Sequence, residues 1–235
     1  MTEAEWLACE EPERMLEFLP MLTYFGGRVS KRKLRLLAGQ FCLSYWSLYP
    51  NSHRCESTRT IAVEVSENGI LPEWVVEPQS DDLPSILLHD DAMRAVVGVV
   101  WPLTRWVRSD CYEEYLFRGD FDEAAGRDVI QRNLDAFYEK AQNRISTLRV
   151  VLAQLLREIV GNPFRPATLD PSWLTPTVTA LAAQMYDSRD FSAMPILADA
   201  LQDAGCTNDD ILNHCRGDGP HVRGCWVVDL VVGKE

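Results

Sequence analysis

The chain has 235 residues, 46% of them hydrophobic, 9% aromatic and 25% charged, a balance that excludes wholesale disorder, collagen, low-complexity and disulfide-dense scaffolds. The length bounds the fold to one domain or two. The formal charge is −12, spread unevenly: 8 basic and 7 acidic groups fall in residues 1–60, 7 and 17 in 61–140, and 8 and 11 in 141–235, which argues against a nucleic-acid binder, whose affinity comes mostly from neutralising phosphates.

The opening Met1-Thr2-Glu3-Ala4-Glu5-Trp6 is acidic and has no apolar signal core. Thr2-x-x-Glu5 matches a capping box and starts a short helix through Trp6 and Leu7. Pro12 suits the first turn of a second helix carrying Met15, Leu16, Phe18 and Leu19. Gly26-Gly27 breaks the chain. Ser30 is a good N-cap for a third helix, in which Leu34, Leu37, Phe41, Tyr45 and Leu48 share one face. The basic run Arg28 to Arg35 at its start reads as a solvated helix face. Ser57 starts a further helix that stops at Asn68-Gly69.

Residues 70–84, with Pro72, Pro78 and Pro84 among acidic groups, read as a linker. A helix over 83–101 follows, then a mixed segment to residue 120. The strongest periodic signal comes next. Ile130, Leu134, Phe137, Ala141, Ile145, Leu148, Leu152, Leu155 and Ile159 recur every three or four residues, close to a heptad seam with one slip. That pattern predicts one long central helix near 127–160, with Val150, Val151 and Leu156 widening its stripe toward burial among other helices. Gly161-Asn162-Pro163 stops it.

Residues 161–176 are proline-rich, with Phe164 and Trp173 as apolar anchors of a loop that crosses the bundle. Thr175-Pro176 opens a helix through Met185 and Tyr186. Ser192 caps the next one, which ends at Gly205, and Thr207 or Asn208 caps a short helix ending at Gly217. The tail 221–232 is compatible with helix or strand, and the helical context favours helix. No alternating strands or βαβ pattern occur. The predicted fold is therefore all-α, a multi-helix bundle or irregular helical array. Its expected parts are an N-terminal helical segment over 1–70, an acidic variable segment over 71–120 and a C-terminal helical domain over 121–235, or all of these as one domain.

Two stretches carry a resemblance. One is Met1-Thr2-Glu3-Ala4-Glu5-Trp6-Leu7 with Lys31-Arg32-Lys33-Leu34-Arg35-Leu36. The other runs from Gly161-Asn162-Pro163-Phe164-Arg165-Pro166 through Pro195-Ile196-Leu197-Ala198-Asp199-Ala200-Leu201 and His214-Cys215-Arg216 to His221-Val222-Arg223-Gly224-Cys225-Trp226-Val227-Val228-Asp229-Leu230. These stretches resemble a set of uncharacterised planctomycete-type bacterial proteins. The likeness implies no established activity, so no site residue follows from it.

The seven cysteines (9, 42, 55, 111, 206, 215 and 225) form no Cys-x-x-Cys pair and read as free, mostly buried thiols of a reducing compartment. No apolar run approaches the ~20 residues of a membrane span, and the expected location is the cytoplasm. Walker A, Gly-x-Ser-x-Gly and His-Glu-x-x-His patterns are missing from the sequence. Asp120, Asp122 and Glu123 lack the calcium-loop spacing and read as a helix cap.

The tail does gather Cys206, His214, Cys215, His221 and Cys225 into 20 residues. Thiolate and imidazole suit zinc, and a four-ligand site would be structural. In a helical tail His221 and Cys225, four apart, share a face. The same group could instead pack as small apolar side chains, or form a Cys–His nucleophile oriented by Asp229 or Asp218. The expected function is a non-enzymatic helical interaction or regulatory module that meets a basic protein partner through the acidic stretch. The alternative is a helical enzyme or metal-stabilised domain built on the Cys/His cluster.

Overall fold

The computed structural model describes residues 1–22, 29–48 and 127–234. Among these residues there are eight α-helices and no strand. They are α1 (Glu3–Ala8), α2 (Pro12–Leu22), α3 (Lys31–Leu48), α4 (Arg127–Val160), α5 (Pro176–Ser188), α6 (Met194–Asp203), α7 (Asp209–Arg216) and α8 (Trp226–Val232), with a 3₁₀ turn at Pro171–Trp173 before α5. The all-α class and the long helix are as the periodicity predicts. None of the described helices is long and apolar enough to cross a membrane. The helices expected over 57–69 and 83–101, the linker 70–84, the mixed segment before 120 and the cap at Asp120–Glu123 lie outside the described residues.

Helix starts follow from local chemistry. Thr2 Oγ1 accepts from Glu5 N at 3.3 Å while Thr2 N donates to Glu5 Oε2 at 2.7 Å, closing the capping box. Ser30 Oγ accepts from Lys33 N. Thr175 caps α5 with Pro176 at its first position, and Asn208, rather than Thr207, caps α7 by accepting from Asp210 N and Ile211 N. Ser192 differs from expectation. Its N–H is taken by Asp190 Oδ1 in a turn, and α6 begins two residues later behind Ala193 with no side-chain cap.

α4 is 34 residues long, about 51 Å at ~1.5 Å per residue. Its C-terminal half is the buried half: Ala141, Ile145, Leu148, Leu152, Leu155, Leu156 and Ile159 are all within the core. Each buried leucine contributes about 1.5–3 kcal/mol, so this half anchors the helix. These residues form a first apolar cluster with Trp6, Met15 and Phe18 from α1 and α2 and with Leu34, Leu37 and Phe41 from α3. A second cluster joins α5 to α8 through Val178, Met185, Met194, Leu197, Leu201, Ile211, Val227 and Val228.

The proline-rich loop links the two clusters. Phe164 stacks on Phe18 at 5.3 Å in the first, and Trp173 packs against the second. Direct bonds also join them. Arg32 at the start of α3 donates to both carboxylate oxygens of Asp229 in α8, at 2.9 and 3.2 Å, and to Tyr186 Oη of α5 at 2.9 Å. Within the first cluster, Lys33 Nζ donates to Ile159 O at the end of α4. Gly224 (φ +100°) lies so close to α3 that a Cβ there would meet Leu36 Cδ1 at 3.2 Å. The end of α4, the loop after α7 and the start of α8 therefore converge.

Candidate metal centre

Glu158 reaches this junction from the last turn of α4. It lies two turns on from Val151 and one turn on from Leu155, and is only 4% exposed. His214 comes from the C-terminal end of α7. His221 comes from the loop that follows, and Cys225 occupies the N-cap position of α8. The ligand-capable atoms of these four residues lie within 4.8 Å of one another.

Individual contacts are shorter. His214 Nε2 is 3.2 Å from Glu158 Oε2 and 3.2 Å from Cys225 Sγ. His221 Nδ1 is 3.3 Å from Glu158 Oε1, which also accepts from Val222 N at 3.3 Å. His221 Nε2 donates to Gly217 O at 3.1 Å, and Trp226 Nε1 donates to His214 Nδ1 at 3.1 Å. The two imidazoles meet edge to face at 5.1 Å. Gly219 lets the loop turn: at φ +86° a Cβ would stand 2.7 Å from His221 N.

Burial governs the charges. It pushes the Glu158 carboxyl above its ordinary range, against the pull of the bonds from His221, Cys225 and Val222 N. Desolvation opposes charge on His221 too, yet the adjacent Glu158 outweighs it and raises that imidazole. The pair thus shares a proton between Nδ1 and Oε1. Burial, helped by His221 alongside, lowers His214 to about 3, so its contact with Glu158 is a hydrogen bond from a neutral ring. Burial raises the Cys225 thiol well above its ordinary value.

The sequence-predicted residues divide. His214, His221 and Cys225 come together. Cys206 and Cys215 do not join them: both are packed in the second apolar cluster, and burial raises the Cys215 thiol to about 12. Their place is taken by Glu158. The expected shared helix face for His221 and Cys225 is corrected as well, because α8 begins only at Trp226 and His221 lies in the preceding loop. Cys225 N donates to Val222 O there, a turn that brings the thiol round to the imidazoles. Asp229, expected as an orienting acid, is engaged by Arg32 instead, and Asp218 lines the neighbouring cleft. No local pattern singles out Glu158, whose neighbours one turn back are Leu155 and the exposed Gln154.

A tetrahedral zinc ion with bonds of about 2.0–2.3 Å holds its ligand atoms about 3.4–3.7 Å apart. The His221–Glu158 contact of 3.3 Å is near that spacing, and the four donor atoms span up to 4.8 Å, so the ligands need to draw in by about an ångström at most to hold the ion. An open cleft of about 210 Å³ adjoins the cluster and is lined by Glu158, His214 and His221 with Gln154, Arg157 and Asn213 among its walls. Compared with known proteins, the chain matches no family model, no curated protein and no solved structure.

Proposed function

We propose that this protein is a metal-stabilised helical domain whose cluster of Glu158, His214, His221 and Cys225 holds a transition-metal ion, zinc first among them. The observation that carries the reading is the convergence of four donor atoms within 4.8 Å from α4, α7, a loop and α8. Charge supports it. A buried carboxylate and a thiolate together neutralise a divalent ion, whereas unpaired they would be costly to bury. The donor set supports it too, since thiolate with imidazole suits zinc better than magnesium or calcium. The alternative module that binds a basic partner rests on the acidic stretch 61–140, nearly all of which lies outside the described residues.

The test is elemental analysis of the purified protein, followed by chelation and zinc titration. One zinc per chain, lost on chelation and regained with a matching rise in thermal stability, is expected. A chelated, folded protein that takes up no zinc would overturn the reading.

A further inference from the structure

We infer that the ion in this cluster has three protein ligands, Glu158, His221 and Cys225, and a fourth position open to the cleft, with His214 acting as a positioning residue beside it. The inference rests on the metal reading above and assigns the roles within it.

The two histidines are prepared differently. His221 donates its Nε2 proton to the Gly217 carbonyl, so an ion that displaces the proton between Nδ1 and Glu158 Oε1 meets the Nδ1 lone pair. A ligating imidazole backed by a carbonyl acceptor is the usual supported arrangement. His214 is the reverse case. An indole nitrogen only donates, so the Trp226 contact makes His214 Nδ1 the acceptor and leaves the proton on Nε2. That N–H faces Glu158 Oε2 and Cys225 Sγ, both acceptors once deprotonated. To ligate through Nε2 the ring would have to carry its proton on Nδ1, and two N–H groups would then oppose each other at 3.1 Å. His214 therefore orients the carboxylate and thiolate by donating to them.

Access completes the picture. Glu158, His214 and His221 line the open cleft, whereas Cys225 is fully buried behind them and does not line it. With two of the three ligands in its lining, the cleft is where the fourth position opens and where water or a small monodentate anion fits, between walls that carry Arg157 and Asp218. A zinc-bound water in such a position has a pKa near ~7.

Cobalt(II) in place of zinc reports both points, with azide as the anion. The expected wild-type result is one cobalt per chain, a thiolate-to-cobalt charge-transfer band, and visible d–d bands that shift saturably with azide. His214→Asn should keep the charge-transfer band and lose only about 10–100-fold in cobalt affinity, the scale for a supporting residue, whereas Cys225→Ser loses the band. Trp226→Phe frees Nδ1 to take the proton, lets His214 close the fourth position and weakens the azide response by about tenfold or more. Bands that stay unchanged in azide, or a His214→Asn protein that loses cobalt as fully as Cys225→Ser, would overturn the open site while leaving the metal reading intact. Absence of cobalt uptake overturns both. Should Trp226→Phe fail to fold, the wild-type azide titration and His214→Asn still decide.

Discussion

Glu158 is the residue on which the centre turns. A carboxylate at 4% exposure is stable only with donors around it, and here they are the Val222 amide and two imidazoles. Glu158→Gln keeps the volume and an acceptor for Val222 but removes the anion. Zinc affinity in that variant should fall by more than the ~10–100-fold that loss of a supporting group brings, as measured by competition with a chelating dye; unchanged affinity would remove Glu158 from the ligand set. His214 makes a second prediction for the chelated protein. Its folded value of about 3 lies below the 6.5 of an ordinary imidazole, so the unfolded chain takes up the proton first as pH falls. The stability that neutral His214 provides is complete above about pH 6.5 and drains away between there and about pH 3. Glu158 and His221, both raised, act in the opposite sense. Urea midpoints at about pH 7 and about pH 5 should therefore fall less, or rise, in His214→Asn relative to wild type.

Between elements, the bond from α3 to α8 is the most consequential. Asp229 is 1% exposed and Arg32 20%, so removing the guanidinium strands a buried carboxylate. Arg32→Met should destabilise by about 3–5 kcal/mol, and Arg32→Met with Asp229→Leu should recover most of that loss. Denaturant melts of the two variants settle it; a double variant no better than the single would show that the pair's geometry, and not the stranded charge, matters. Elements were also where the sequence was most readable. Thr2, Ser30, Thr175 and Asn208 cap helices because a side-chain oxygen acts on an amide two or three residues away, a purely local rule. Ser192 escaped it because Asp190, also local, competes for the same turn. The burial of Leu148, Leu152, Leu155 and Ile159 followed from spacing alone.

Over the whole molecule, the centre lies where two apolar clusters meet. Glu158 sits between Leu155 and Ile159 of the first cluster, and Cys225 belongs to the second. Such a contact joins residues 63 apart, as His221 to Glu158 does, and no periodicity encodes it. The tail's Cys and His content marked the neighbourhood, but the partner carboxylate could be found only once α4 was folded against α8. The same placement predicts how the protein melts. An ion that binds only the folded junction stabilises by about 4 kcal/mol at ~1,000 times its Kd. Chelation should therefore lower the melting temperature and broaden or split the transition as the clusters separate, read by calorimetry. A single sharp transition at an unchanged temperature in chelator would show that the junction holds without metal.

The indole that fixes the His214 tautomer has an optical consequence. Trp226 lies with its ring centre 4.9 Å from that imidazole, and tryptophan emission is quenched by a protonated imidazole and by bound copper or cobalt at such range. Under the proposed metal reading the domain thus carries its own fluorescent indicator. Trp226 is one of seven tryptophans, so the quenching by cobalt or copper is read as the part of the emission change that Trp226→Phe removes.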